Sequence, residues 1–113
     1  MSETTNTENL VTEEISAEYL ASIRLRLRRS SNVLDEEIKD LIRAARDDLV
    51  LGGVLPVRAK DENDALIKQA IATYVKAEFG LDNEDSEKYR DSYHKQKVAL
   101  ALASDYIDSA EEV

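Results

Sequence analysis

The sequence predicts an all-α domain, a small bundle of about four helices with flexible acidic tails at both ends. Three observations predict it. Apolar residues recur at helical spacing in several windows. Chain breakers fall between those windows, at Gly52, Gly53, Pro56 and Gly80. Both ends lose large apolar residues and gain acids. With 113 residues and 42% hydrophobic content, the chain suits one domain with a modest core.

Residues 1–14 are rich in Thr, Asn and Glu and are expected to be a disordered acidic tail. Residues 15–29 form the first helix, capped by Ser16, with Tyr19, Leu20, Ile23 and Leu27 on one face. The piece IRLRLRR also alternates, which leaves a few residues of strand as the competing assignment. The helical spacing holds over the longer window. Arg24, Arg26, Arg28 and Arg29 cluster at its end as a candidate basic surface. Cations there complement the helix dipole and can pair with the acids that open the next helix. A nucleic-acid patch is the alternative, although no aromatic residues interleave with the arginines.

The stretch NVLDEEIKDLIRAARDDLVLGG organises the chain. Leu34, Ile38, Leu41, Ile42, Ala45 and Leu49 make one stripe. Glu36, Lys39, Asp40, Arg43, Arg46 and Asp47 are expected on a solvated face. Asn32 is the candidate N-cap, with Asp35 completing a weak capping box. The two glycines end the helix. Residues 52–60 are expected to be a loop with a short extended piece near residues 54–57.

The third helix is expected over residues 61–79, with Leu66, Ile67, Ala70, Ile71, Tyr74, Val75 and Phe79 on a wide apolar face. Gly80 should cap it in the left-handed conformation, with Leu81 folded back onto Val75. A polar linker, residues 82–86, leads into a fourth helix running to about residue 103. Its stripe of Tyr89, Tyr93 and Leu100 is interrupted by Gln96 and Lys97. The segment VALALA at its end is apolar all round. It is either core or an interface with another chain. Residues 105–113 are expected to be a C-terminal arm outside the helical domain of residues 15–104. Leu102, Tyr106, Ile107 and Val113, the large side chains of residues 101–113, are the candidate contacts with other chains.

The net charge of −9 is uneven. Residues 1–15 and 105–113 hold 8 of the 24 acids and no Lys or Arg. The middle sets 16 acids against 15 bases. That is no footprint for strong phosphate binding. The absence of cysteine excludes disulfides and thiolate metal sites. No apolar run is long enough to span a bilayer, and the polar N-terminus does not resemble a signal peptide. His94 has no acid–base partner at motif spacing, and Asp82, Glu84 and Asp85 lack the glycine and terminal glutamate of a calcium loop. Neither an enzyme nor a cofactor is expected.

The run LRLRRSSNVLDEEIKDLIRAARDDL, followed by LIKQAIATYVKAEFGLDNEDSEKYRDSYHKQKVALALASDY, resembles the small head–tail connector, or adaptor, proteins of long-tailed bacteriophages. The likeness covers about residues 15–106. Its most specific parts are NVLDEEI and YVKAEFGLDNEDSEKY, both helix-boundary motifs. The resemblance implies a helical subunit of a homo-oligomeric ring, a dodecamer, beneath the portal protein of a filled head. Such a ring extends the DNA channel and is the platform for the stopper or tail-completion protein. It also implies a place in the virion after assembly in the host cytoplasm, with no membrane and no specific nucleic-acid binding. The family has no catalytic residues to carry over. The longer acidic N-terminal tail departs from it. A small helical DNA-binding regulator and a generic protein-interaction module are the other classes that the composition allows.

Overall fold

A computed structural model describes residues 15–28, 32–80 and 84–108. Among them the chain forms six helices and no strand: α1 Ala17–Arg26, α2 Asp35–Leu51, α3 Pro56–Ala59, α4 Ala65–Glu78, α5 Ser86–Ala101 and α6 Ser104–Ile107. The all-α expectation holds, with two short helices added to the four long ones.

α1 begins where its cap dictates. Ser16 Oγ accepts the N–H of Tyr19 at 3.0 Å. Tyr19, Leu20 and Ile23 are buried and Leu27 packs partly against them; in IRLRLRR the helix prevails over the strand for residues 23–26, Leu27 and Arg28 form a turn, and Arg29 lies outside the described residues. α1 gives out at Arg28, whose φ of +61° is left-handed.

α2 starts later than the sequence suggests. Asn32 does not cap it; the N-cap position is Leu34, with no side-chain cap bond. Asn32 instead uses its carbonyl, which accepts the Asp35 N–H at 3.2 Å and closes a turn ahead of the helix. At the other end Gly53 takes φ +117°. Its N–H donates to Val50 O, and the Val54 N–H donates to Leu49 O, a Schellman closure with the buried Leu49 and Val54 as its apolar pair. Ile38, Ile42, Ala45 and Leu49 face the core, Leu41 is half-buried and Leu34 is exposed.

Arg46 corrects the expected solvated face, because it is only 4% exposed. It lies four residues after Ile42 and three before Leu49, on the stripe itself. The aliphatic stem fills that stripe while the guanidinium reaches Glu62, with Nη2 3.5 Å from Oε2, and lies 5.7 Å from the Tyr19 ring centroid.

The expected loop after α2 is partly helical. Leu55 is extended, and Pro56 then opens α3, where its missing N–H costs nothing. α4 begins four residues later than expected. Asp61 Oδ1 first accepts the Asn63 N–H in a turn, and Asp64 Oδ1 then caps the helix by accepting the Ile67 N–H at 3.0 Å. Ile67, Ala70, Ile71 and Val75 are fully buried, while Leu66 is exposed. Gly80 takes the expected left-handed φ, +72°. Leu81 lies outside the described residues.

Contacts fix the directions. Arg24 Nη1 meets both carboxylate oxygens of Asp35 at 3.0 Å, joining the end of α1 to the start of α2. The Gly80 N–H donates to Glu37 Oε2, which sets the end of α4 beside the start of α2. Arg90 Nε lies 2.9 Å from Glu78 Oε2, and the Tyr74 and Tyr93 rings meet edge to face at 5.2 Å. So α4 runs antiparallel to both α2 and α5, and α2 and α5 run parallel. α4 is the central helix, packed most extensively on α5 and then on α2. One end of the bundle, the proximal end, gathers the start of α1 and α4, the ends of α2 and α5, and both short helices. The distal end holds the α1–α2 corner and the α4–α5 junction.

Candidate functional site

The proximal end is braced by polar contacts. Tyr93 OH donates to Asp48 Oδ2 at 2.6 Å, and Lys97 Nζ lies 3.0 Å from the same oxygen. Burial pushes the Asp48 carboxyl up, but the hydrogen bonds from Tyr93 and Lys97 outweigh it and hold it below its ordinary 3.8. Burial, reinforced by the bond to Asp48, pushes the Tyr93 hydroxyl well above its ordinary value. Gly52 is part of this brace. A Cβ there would sit 2.6 Å from Lys97 Cε, in the path by which Lys97 crosses the end of α2.

α6 closes over the same end. The Leu55 N–H donates to Tyr106 O at 2.8 Å, and Tyr106 OH lies 3.1 Å from Asp64 Oδ1. Burial and the bond to Asp64 both raise the Tyr106 hydroxyl above its ordinary value. Across the bundle, Ser16 donates to Glu62 through its N–H at 2.9 Å and its hydroxyl at 2.6 Å. Burial raises the nearby Tyr19 hydroxyl to about 12 against the pull of Arg46. Tyr19, Glu62, Ser16, Glu18, Asn63 and Lys68 line an open depression of about 440 Å³ there. Of its two carboxylates, that of Glu62 is taken by Ser16 and Arg46 and joins α1 to the α3–α4 turn.

The same end also exposes apolar side chains. Val50 and Leu51 finish α2, Val57 sits on α3, and Val98 and Leu102 mark the end of α5; all are exposed, Leu51 at 85% and Leu102 at 78%. Of the VALALA segment only Leu100 is buried, so the chain's own core does not take it up.

The candidate contact residues therefore differ from one another. Leu102 stands out from the surface. Tyr106 and Ile107 are half-buried against the domain, so the segment after residue 104 begins as a docked helix. Val113 lies outside the described residues. The basic cluster is likewise divided. Arg24 is committed to Asp35, Arg26 and Arg28 are exposed, and Arg29 lies outside the described residues. His94 is exposed on α5. Among the described residues no group of His, Cys, Asp or Glu could hold a metal, and no helix is long and apolar enough to cross a membrane.

Sequence reasoning missed the polar braces. Lys97 and Tyr93 are four apart on α5, and the polar gap at Gln96 and Lys97 was the signal that this face meets a carboxylate. Glu62 had no signal, since its partners lie far away in the chain.

No curated protein and no solved structure matches the chain. A family model described as phage connector protein matches residues 20–107, from within α1 to the last residue of α6. The match takes in most of α1, the other three long helices and the two short ones that close the proximal end, so the chain belongs to the phage connector protein family and has the structural role of a phage connector.

Proposed function

We propose that this protein is the head–tail connector, or adaptor, of a tailed phage, a non-enzymatic virion component. It forms a homo-oligomeric ring, a dodecamer, under the portal protein, extends the DNA channel and carries the stopper or tail-completion protein. The observation that carries this reading is the family match over residues 20–107. The proximal end supports it, because exposed Leu51, Val57, Val98 and Leu102 supply apolar surface that an isolated domain does not need. The near-neutral middle of the chain suits a channel wall past which DNA must slide without being gripped.

In this reading Leu102, Tyr106, Ile107 and Val113 contact the portal or the next subunit, with Leu102 as the exposed anchor. A portal holds its sites at ring spacing, so each added subunit gains portal and neighbour contacts together. Assembly takes place in the host cytoplasm. The DNA-regulator reading is not favoured, since Arg24 is spent on Asp35. The test is cosedimentation of the protein with purified portal rings at physiological salt. Stoichiometric pelleting with the portal is expected. A protein that stays in the supernatant while its helical circular-dichroism signal is intact overturns the reading.

A further inference from the structure

The distal α1–α2 corner presents a feature that the portal reading does not use. Leu25 is 71% exposed and Val33 80% exposed, and Arg26 and Arg28 are exposed between them in sequence. Neither arginine forms an ion pair among the described residues. The acids that open α2 are occupied: Asp35 by Arg24, Glu36 by Lys39, and Glu37 by the Gly80 N–H. Arg28 also holds a left-handed φ of +61°, where glycine is the cheaper residue. An arginine kept at that cost directs attention to its side chain.

The chain contains a segment of matching chemistry. Residues 1–14 carry Glu3, Glu8, Glu13 and Glu14 with no base, and Leu10 and Val11 sit between the last three acids. We propose that this N-terminal segment of one copy docks on the Leu25, Arg26, Arg28 and Val33 corner of a neighbouring copy. Its acids would pair with the two arginines, and Leu10 and Val11 would cover the two exposed apolar side chains. The segment joins the domain at Ile15, at the proximal end, whereas the corner is distal. Fourteen extended residues reach about 46 Å, several times the roughly 15 Å length of α1. A path along the segment's own α1 starts over the depression lined by Glu18, Glu62 and Lys68, a less cationic surface than the two-arginine corner. Contact between opposite ends of two copies is heterologous, the type that generates rings. The corner lies away from the Leu102 surface, so this contact and the portal contact are independent.

The experiment uses the full chain without portal, so its failure leaves the portal reading standing. The protein has no cysteine, so Ser2→Cys takes a single nitroxide label. Labelled protein at natural isotope abundance is mixed with unlabelled ¹⁵N protein. The expected result is selective loss of amide signal at Leu25, Arg26, Arg28 and Val33. That loss should vanish with Arg26→Glu/Arg28→Glu in the ¹⁵N protein, and return when the labelled protein carries Glu8→Lys/Glu13→Lys. Four results overturn the proposal: no loss, loss only when label and isotope share one chain, loss elsewhere on the domain, or loss indifferent to charge reversal. Unchanged amide shifts away from the corner establish that the Glu variants are folded.

Discussion

Tyr106 places its hydroxyl 3.1 Å from Asp64 Oδ1, the same oxygen that accepts the Ile67 N–H at the start of α4. One carboxylate therefore caps the central helix and holds the last one. With the Leu55 N–H bonded to Tyr106 O, α6 is fastened to the domain at both faces of one residue. Tyr106→Phe should cost about 0.5–1.5 kcal/mol, the net value of one such hydrogen bond. Tyr106→Ala should cost more, because the half-buried ring goes as well. Deletion of residues 105–113 should keep the helical circular-dichroism signal while lowering the urea midpoint. An unchanged midpoint for Tyr106→Ala would show that α6 does not rest on the domain.

The core should be most sensitive along α2. Ile42 is fully buried, and Ile42→Ala should cost about 2–5 kcal/mol through lost burial and the cavity left behind. Leu41 is half-buried, so Leu41→Ala should cost less. Arg43→Ala, on the opposite face and paired with the exposed Asp40, should stay within about 0.5 kcal/mol. Equal urea midpoints for Ile42→Ala and Arg43→Ala would contradict this packing.

The α2 stripe, the Ser16 cap, the Gly53 and Gly80 helix ends and the all-α class were legible because each rests on local spacing or local turn chemistry. Arg46 was misjudged because a charged residue at a stripe position looks solvated until its partner is known, and Glu62 comes from a distant turn. The same reason hid the Asp48, Tyr93 and Lys97 cluster. Pairings between helices decide it, and periodicity within one helix does not contain them. Asn32 failed as a cap because the chain closed a turn through its backbone carbonyl instead. The exposure of Val98 and Leu102 could not be told from burial in sequence, since an all-apolar helix end fits either.

Asp48 should make stability depend on pH in the acid range. Its folded pKa lies below the ordinary 3.8, so the unfolded chain takes up a proton first as pH falls. The stabilisation is fully present above 3.8 and is lost as pH drops through the lower folded value. Asp48→Asn should flatten that part of the stability curve, measured by urea midpoints from neutral pH downward. An unchanged acid slope would remove Asp48 from the account.

Arg28→Gly should relieve the left-handed strain at the end of α1. After allowing for the greater chain entropy of glycine, it should stabilise the monomer by about 0.5–1 kcal/mol. Thermal melts of the two proteins compare it directly. A lower melting temperature for Arg28→Gly would mean that the arginine side chain is worth more to its own fold than its backbone costs.

The central claim is a ring on a portal, and electron micrographs of the protein mixed with its portal test it most directly. An added ring layer beneath the portal is expected for the natural chain. Leu102→Glu should lose that layer while keeping its urea midpoint, because Leu102 is 78% exposed and buries little within the domain. Portal particles without any added layer, in the presence of the folded natural chain, would contradict the connector reading.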